Sequence, residues 1–471
     1  MKELFPVACL VTSAVALGYA LQIANGFYHP AALGWLSAAV VFCAGGVVWS
    51  QLGPIRARRG LMILHILMGA GLGWQLATLG TATPGIYLSD RANLSLFKGL
   101  VTIQAALIGL GFVPIRVLQR LWFPALLVVQ LVLGHWMLRA SPSPRIDVVV
   151  VHRAAIEALL KGQNPYRITF QNIYGANSGF YNPDLVVGDR VNFGYPYPPA
   201  SLALAVPGHV WAGDYRYAQL AALVVGAALI GYAQPTLTAR LSAALLLTSP
   251  RGLFVLEQGW TEPIAVLLFS ATIFCLLRRP ALAPWVSGLL LVTKQYLVLA
   301  GVALLRFAMS LGARQRRFVV GVMGAALVST LPFVVWDPAA FVENVVLLQA
   351  REPFRIDSLS YLSWAARAGW GSGSLAWSIA AACAALLVGL LRTPNTAAGL
   401  AASLALSWLV MFAFGSKAFC NYYYFVIGVL CCAVAALPGA SGTDGGDGRT
   451  GKMGEDRGQG DGREVALRSS R

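Results

Sequence analysis

The sequence predicts an all-α polytopic membrane protein, and three observations carry that prediction. Apolar residues make up 57% of the chain and charged residues 11%, with a mean hydropathy of +0.66, whereas a soluble domain carries about 25% charge. Apolar runs of roughly 17–25 residues, the length that crosses ~30 Å of hydrocarbon as helix, recur along the sequence. The basic residues gather in short clusters between those runs: Arg56, Arg58 and Arg59; Arg116 and Arg120; Arg278 and Arg279; Arg314, Arg316 and Arg317. The runs are continuous rather than alternating, so helices, not a barrel, must satisfy the backbone groups that lipid leaves without partners.

Spans are expected near 4–24, 31–49, 60–80, 99–115 and 121–138. Basic clusters mark the inner face, which puts the N-terminus inside and leaves residues 147–199 outside. This stretch is the longest polar interruption in the sequence. It opens on Asp147, continues as a basic, amphipathic segment, and closes on Asn, Tyr and Pro. Residues 200–212 are apolar but short, and Pro207 and His209 interrupt them. A full crossing there would carry Arg278 and Arg279 outside, so a shallow or re-entrant segment is expected. Spans near 216–233, 240–256 and 262–277 follow. Residues 284–307 have basic flanks at both ends and Lys294-Gln295 at the centre, so two short helices meeting near Lys294 are expected. Later spans fall near 318–335, 375–391, 398–414 and 421–437, with outer loops at 337–374 and 417–421. The total is about 13–14 helices of membrane length, with both termini cytoplasmic. Residues 438–471 are Gly-rich, mix acids with bases and hold almost nothing apolar, so a disordered tail is expected.

Composition narrows the function classes. The net charge of +16 suggests nucleic acid at first sight, but its clustering is the positive-inside pattern, and no nucleic-acid partner is expected. The seven cysteines are Cys9, Cys43, Cys275, Cys383, Cys420, Cys431 and Cys432, and all but Cys420 lie in apolar runs. They read as packing residues with no metal spacing. Residues 1–24 could pass for a secretory signal, but the next span follows after a few residues, so no cleavable signal is expected. The sequence shows no internal repeat, which weakens a secondary transporter.

The informative polar groups fall on the outer face. Asp147, His152, Asn164, Tyr166, Tyr195 and Tyr197 lie in the first loop; Gln258, Glu262, Lys294 and Gln295 at span junctions; Arg351 in the second loop; Asn421 and Tyr422 in the third. Glycoside hydrolysis generally takes two carboxylates, because an alkoxide leaving group must be protonated. A phosphate leaving group is already a weak base, so one base for the acceptor hydroxyl suffices and cations supply the rest. A single Asp with Lys and Arg partners therefore fits sugar transfer from a lipid phosphate. A lipid donor also accounts for the many helices, since each buried CH₂ contributes ~0.8 kcal/mol to holding the carrier.

The run from Asp147 through His152-Arg153 to Lys161-Gly-Gln-Asn-Pro-Tyr166, followed by Tyr195-Pro-Tyr-Pro-Pro199, resembles glycosyltransferase family 87. Glu257-Gln-Gly-Trp-Thr-Glu262, Thr293-Lys-Gln295 and Ala418-Phe-Cys-Asn-Tyr-Tyr-Tyr424 are similar to that family's later segments, in the same order. The family comprises polytopic C-type (GT-C) enzymes, among them polyprenyl-phosphate-mannose-dependent α-mannosyltransferases. The resemblance implies a GT-C-like helical bundle whose first outer loop contains surface-lying helices, with Asp147 as catalytic base and no metal or other cofactor. Lys294 and Arg351 are then expected near the phosphate. His152, Asn164, Tyr166, Tyr195, Tyr197, Gln258, Glu262, Gln295, Asn421 and Tyr422 are expected at the substrates. The implied partners are a polyprenyl-phosphate sugar donor, a lipid or glycan acceptor, and membrane lipids. In this superfamily the catalytic loop usually follows the first helix, so residues 1–139 read as an N-terminal addition to a core of 140–437. A transporter or flippase for a lipid-linked or polar solute, and a structural protein without a site, are the alternatives.

Overall fold

The computed structural model describes residues 2–49, 52–175 and 178–439. Five helices come first: α1 (Leu4–Ala24), α2 (Pro30–Val48), α3 (Arg58–Thr81), α4 (Leu94–Gly111) and α5 (Arg116–Ala140). Each is long and apolar enough to cross a membrane. Their ends follow local chemistry. Asn25 and Gly26 take left-handed conformations and stop α1. Pro30 opens α2, where the His29 ring accepts from the Ala31 N–H, and Asn93 caps α4 by accepting from the Leu96 N–H.

The polar stretch begins as α6 (Asp147–Leu160), which ends at Gly162 (φ +71°). Helices were expected in this loop, and α6 is one; beyond it the chain also forms a small antiparallel sheet, which was not expected, of β1 (Phe170–Gln171), β2 (Val186–Val187) and β3 (Arg190–Val191), in the order β1-β3-β2. The β2–β3 hairpin turns on Gly188-Asp189, with Gly188 at φ +62°. Strands of two residues carry no readable period, which is why the sequence did not disclose them.

α7 (Pro199–Ala212) starts where the Ala200 N–H donates to the Val292 carbonyl and stops at Gly213 (φ +72°). Just beyond it Arg216 donates to the carbonyl of Ser141, next to the end of α5. Both ends of α7 therefore lie at the Asp147 end of the bundle, so it does not traverse. α8 (Arg216–Gly231) then runs to the far end. The return is made in two pieces, α9 (Leu237–Leu247) and α10 (Gly252–Glu257), broken around Pro250. α11 (Glu262–Arg278) descends again.

The segment around Lys294 is α12 (Ala283–Leu291), a 3₁₀ turn at Gln295–Val298, and α13 (Leu299–Met309). Lys294 reaches Glu262 in the first turn of α11, while Arg306 near the end of α13 donates to the Thr393 carbonyl at the other end of the bundle. The segment thus climbs and comes back, as expected from its two basic flanks. α14 (Gln315–Trp336) leads to a connection at the Asp147 end of the bundle, made of α15 (Pro338–Val342), a π turn at Glu343–Leu347, α16 (Leu348–Arg351) and α17 (Tyr361–Arg367). α18 (Leu375–Arg392), α19 (Ala397–Ala413) and α20 (Cys420–Ala435) complete the bundle. Among the described residues seven helices have the length and apolarity of full spans; the remaining traverses are made of shorter or broken helices.

α20 is buried along almost its whole length and sits at the centre, as an all-apolar helix must. It packs against α1, α9, α11 and α19. α14, by contrast, exposes Val320, Met323, Leu327, Val328, Leu331 and Val335, a face suited to hydrocarbon. Residues up to Gly439 form one compact unit. α1 lies on α20 and α2 on α19, so residues 1–139 are packed into the bundle, with no structural break before 140. The expected disordered tail lies outside the described residues beyond Gly439.

Gly26 is a joint where the backbones of the N-terminal helices and the rest meet closely. Its φ is +79°, and a Cβ there would come 2.2 Å from the Cys420 backbone nitrogen. Gly26→Ala is expected to cost at least ~1–3 kcal/mol, whereas Gly73→Ala, with nothing within 4 Å of the new Cβ, is expected to be neutral. Thermal unfolding of both variants in detergent, followed by tryptophan fluorescence, checks the contrast.

Candidate functional site

Asp147 is the first residue of α6, where unpaired N–H groups favour a carboxylate. Its Oδ1 accepts from the Val148 N–H at 2.8 Å and from the Tyr174 hydroxyl at 3.3 Å, and its Oδ2 accepts from the Tyr181 hydroxyl at 2.9 Å. The Tyr174 oxygen in turn accepts from the Asp147 N–H. Burial first, and then the Asp147 charge, push both phenols above their ordinary range, so they stay neutral donors. The carboxylate itself is half-buried.

A cavity of about 280 Å³ opens in front of it. Lys294, Arg355 and Lys417 line it together with Asp147, as do Tyr197, Gln258, Asn421 and Tyr422. Lys294 sits at the break between α12 and α13, in extended conformation. Its Nζ donates to Glu262 Oε1 at 2.7 Å and lies 4.6 Å from the Tyr197 ring centroid. The Asn421 amide donates to the same Oε1 at 2.9 Å. Arg355 binds Asp357 through two N–H donors at 2.8 and 2.7 Å and lies against Phe180 and Phe419. Lys417 pairs with Glu352. Burial pushes the Lys417 ammonium down to about 7, while the Glu352 carboxylate pulls the other way.

A second, apolar cavity of about 310 Å³ lies behind the cations. Leu299 of α13, Leu375 and Ile379 of α18, and Met411 and Phe412 of α19 line it. Tyr197, Lys294, Glu352, Lys417 and Tyr422 border both cavities, so the ammonium groups stand at the junction of a polar chamber and an oily one.

The N-terminal helices supply part of the polar chamber. Asn25 and Phe27 of the α1–α2 turn, and Ile86 and Tyr87 of the α3–α4 connection, line its wall. Glu257, fully buried, accepts from the Ile86 and Tyr87 N–H groups at 2.9 and 2.8 Å and from the Gln258 amide at 3.1 Å. Arg251 donates to the Thr83 carbonyl at 3.0 Å. The α3–α4 connection is thus tied down across the chamber.

Several expected residues hold the first loop rather than face the chamber. His152 is buried, its Nδ1 3.1 Å from the Val148 carbonyl and its Nε2 3.0 Å from the Tyr195 hydroxyl. Burial lowers its pKa to about 3, which keeps the ring neutral. Asn164 accepts from the Tyr166 N–H, the Tyr166 hydroxyl donates to the Tyr197 carbonyl, and Tyr195 meets Ser201. Gln295 donates to the carbonyls of Pro196 and Val345 and borders the apolar cavity. Arg351, expected near the phosphate, lies outside both cavities. It is held by Asp184 from the first loop and by Glu343 across the π turn, and it is Arg355 and Lys417 that line the chamber. Tyr174, Tyr181 and Glu257 were not singled out as site residues; their roles depend on partners distant in sequence. Among the described residues no three or more His, Cys, Asp or Glu side chains come together as a metal site.

No family model, curated protein or solved structure matches the chain.

The buried Lys294–Glu262 pair makes its own prediction. Removing one partner strands a charge, so Lys294→Met or Glu262→Gln alone is expected to cost roughly 3–5 kcal/mol. The double variant is expected to recover most of that loss in thermal unfolding.

Proposed function

We propose that the chain is a membrane glycosyltransferase of the GT-C type. It moves a hexose, by its resemblance to family 87 a mannose, from a polyprenyl-phosphate donor to a hydroxyl of a lipid or glycan acceptor. The observation that carries the proposal is the chamber that holds the Asp147 carboxylate, in no ion pair among the described residues, together with several cations and backed by an apolar cavity. Asp147 takes the proton of the acceptor hydroxyl, the acceptor oxygen bonds to the sugar's anomeric carbon, and the bond from that carbon to the phosphate oxygen breaks. Polyprenyl phosphate leaves with the electron pair and needs no acid. The chamber's other carboxylate, Glu352, is paired with Lys417, so Asp147 serves alone as base and the reaction is a single displacement. Lys417, Arg355 and Lys294 stabilise the phosphate, and the isoprenoid chain lies along Leu299, Leu375, Ile379, Met411 and Phe412.

The basic clusters sit at the end of the bundle away from Asp147, so the positive-inside rule orients the chamber to the outer face of the plasma membrane with both termini cytoplasmic. A transporter or flippase is the second reading, favoured by the ion pair buried among the helices. It predicts no chemical transfer.

Transfer of radiolabelled mannose from polyprenyl-phosphate mannose to membrane acceptors by purified protein decides between them. Asp147→Asn is expected to lower the rate by at least ~10²-fold with unchanged folding, and undiminished transfer would remove Asp147 from the mechanism.

Lys417 adds a pH test. Its ammonium serves only while protonated, and burial draws its pKa toward about 7, so transfer is expected to fall as pH rises through that region. Glu352→Gln is expected to move the fall to lower pH, because it removes the charge that favours the ammonium. Lys417→Arg is expected to abolish the fall, because a guanidinium does not titrate there.

A further inference from the structure

Beside the Asp147 chamber runs a groove of about 390 Å³, between the start of α6 and the segment that follows β1. Arg145 borders both the groove and the chamber. The polar side chains along the groove are Ser143, Arg145, Arg153, Gln171 and Asn172, and no carboxylate is among them.

The two arginines are exposed and, among the described residues, have no ion-pair or side-chain hydrogen-bond partner. Arg167, Arg351 and Arg355, at the same end of the molecule, are each paired with a carboxylate. The Nδ2 of Asn172 is buried and also without a partner, although its Oδ1 is used, accepting from the Tyr174 N–H at 3.1 Å. The groove therefore presents two free guanidinium groups, the inventory that binds phosphate or carboxylate oxygens, with an orphaned amide donor buried in its wall. Arg145 also lies just past the end of α5 on the face where a basic residue works against the positive-inside bias. Neither arginine secures the fold.

We propose that this groove binds an anionic group, phosphate or carboxylate, carried by the acceptor. The inference rests on the proposed transferase reading and deepens it: the acceptor is an anionic glycan or glycolipid. An anion held by Arg153 and Arg145 leaves the adjoining part of the same molecule in the chamber, facing Asp147. Asn172 links the two places, since the turn it shapes carries Tyr174, whose hydroxyl binds the Asp147 carboxylate.

The test uses the full chain in nanodiscs of neutral phosphatidylcholine, with glycerol phosphate as the probe, glycerol as the neutral control, and calorimetry as the readout. Wild-type protein is expected to bind glycerol phosphate and not glycerol. Arg145→Gln/Arg153→Gln is expected to weaken that binding at least tenfold while eluting as a folded particle. Equal binding by wild type and the double variant would overturn the proposal. A second arm replaces part of the phosphatidylcholine with phosphatidylglycerol. An arginine-dependent rise in thermal stability seen only in those discs would assign the anion to a bilayer headgroup and overturn the acceptor assignment. Arginine-dependent binding in a protein that shows no mannosyl transfer would sink the transferase reading while leaving the anion site standing.

Discussion

An ammonium buried among apolar helices costs several kcal/mol unless a counter-charge meets it, and the geometry of this bundle follows from how Lys294 meets that condition. Its partner, Glu262, stands in the first turn of α11, where the helix end itself favours a carboxylate. Asn421 at the start of α20 donates to the same oxygen. Three helix ends from distant parts of the chain therefore converge on one ion pair. Lys294 cannot leave that level without stranding a charge, so α12 must climb to it and α13 must descend from it. The break frees backbone and exposes a polar edge at the junction of the two cavities, a place for chemistry that a straight helix would have closed.

The first loop reaches the same point from the outside. It folds over the helix ends as a nearly complete hydrogen-bonded unit. His152 meets Tyr195, Tyr195 meets Ser201, and Tyr166 holds the Tyr197 carbonyl. Gln295, next to Lys294, donates to Pro196, so the break and the loop position each other. Buried polar groups are tolerable only when paired in this way, and the pairing turns a long loop into a rigid wall. The N-terminal helices contribute through their connections: Glu257 anchors the α3–α4 segment over the chamber, and Gly26 lets the α1–α2 turn come close against Cys420.

The sequence disclosed what depends on one long segment or on the sign of a charge. The five leading spans are legible as apolar runs. The non-crossing course of α7 and the paired helices at Lys294 are legible because moving a cluster of arginines through lipid is prohibitive. What it did not disclose depends on contacts between distant residues. Arg351 and Arg355 look equivalent in a string, yet Asp184 and Glu343 draw the first away while Asp357, Phe180 and Phe419 seat the second at the chamber. Tyr174 and Tyr181 are ordinary loop tyrosines until the fold turns both hydroxyls onto Asp147. The small sheet has strands too short for any periodicity. The packing of residues 1–139 into the bundle, against α19 and α20, has no local signature.

The charges of the chamber also bear on which cation takes the phosphate in the proposed reaction. Lys294, Arg355 and Lys417 are each matched by a carboxylate, so a phosphate that takes one of them as its main partner competes with that carboxylate. Lys294 and Glu262 are almost fully buried, with side-chain exposures of 4% and 0%, and separating them would leave a bare carboxylate among helices. Lys417 and Glu352 are 22% and 28% exposed, so water can take up Glu352 once it is released, and pairs of that kind hold by little. Arg355 keeps Asp357 through two parallel donors, the stronger geometry. The pair that yields at least cost is Lys417–Glu352, which borders both cavities. On these grounds Lys417 receives the phosphate, Arg355 supports it from the chamber, and Lys294 contributes its field while remaining bound to Glu262. The lysine most conspicuous in the sequence thus holds the architecture, and in the proposed reaction it is the one in the short α19–α20 turn that meets the phosphate.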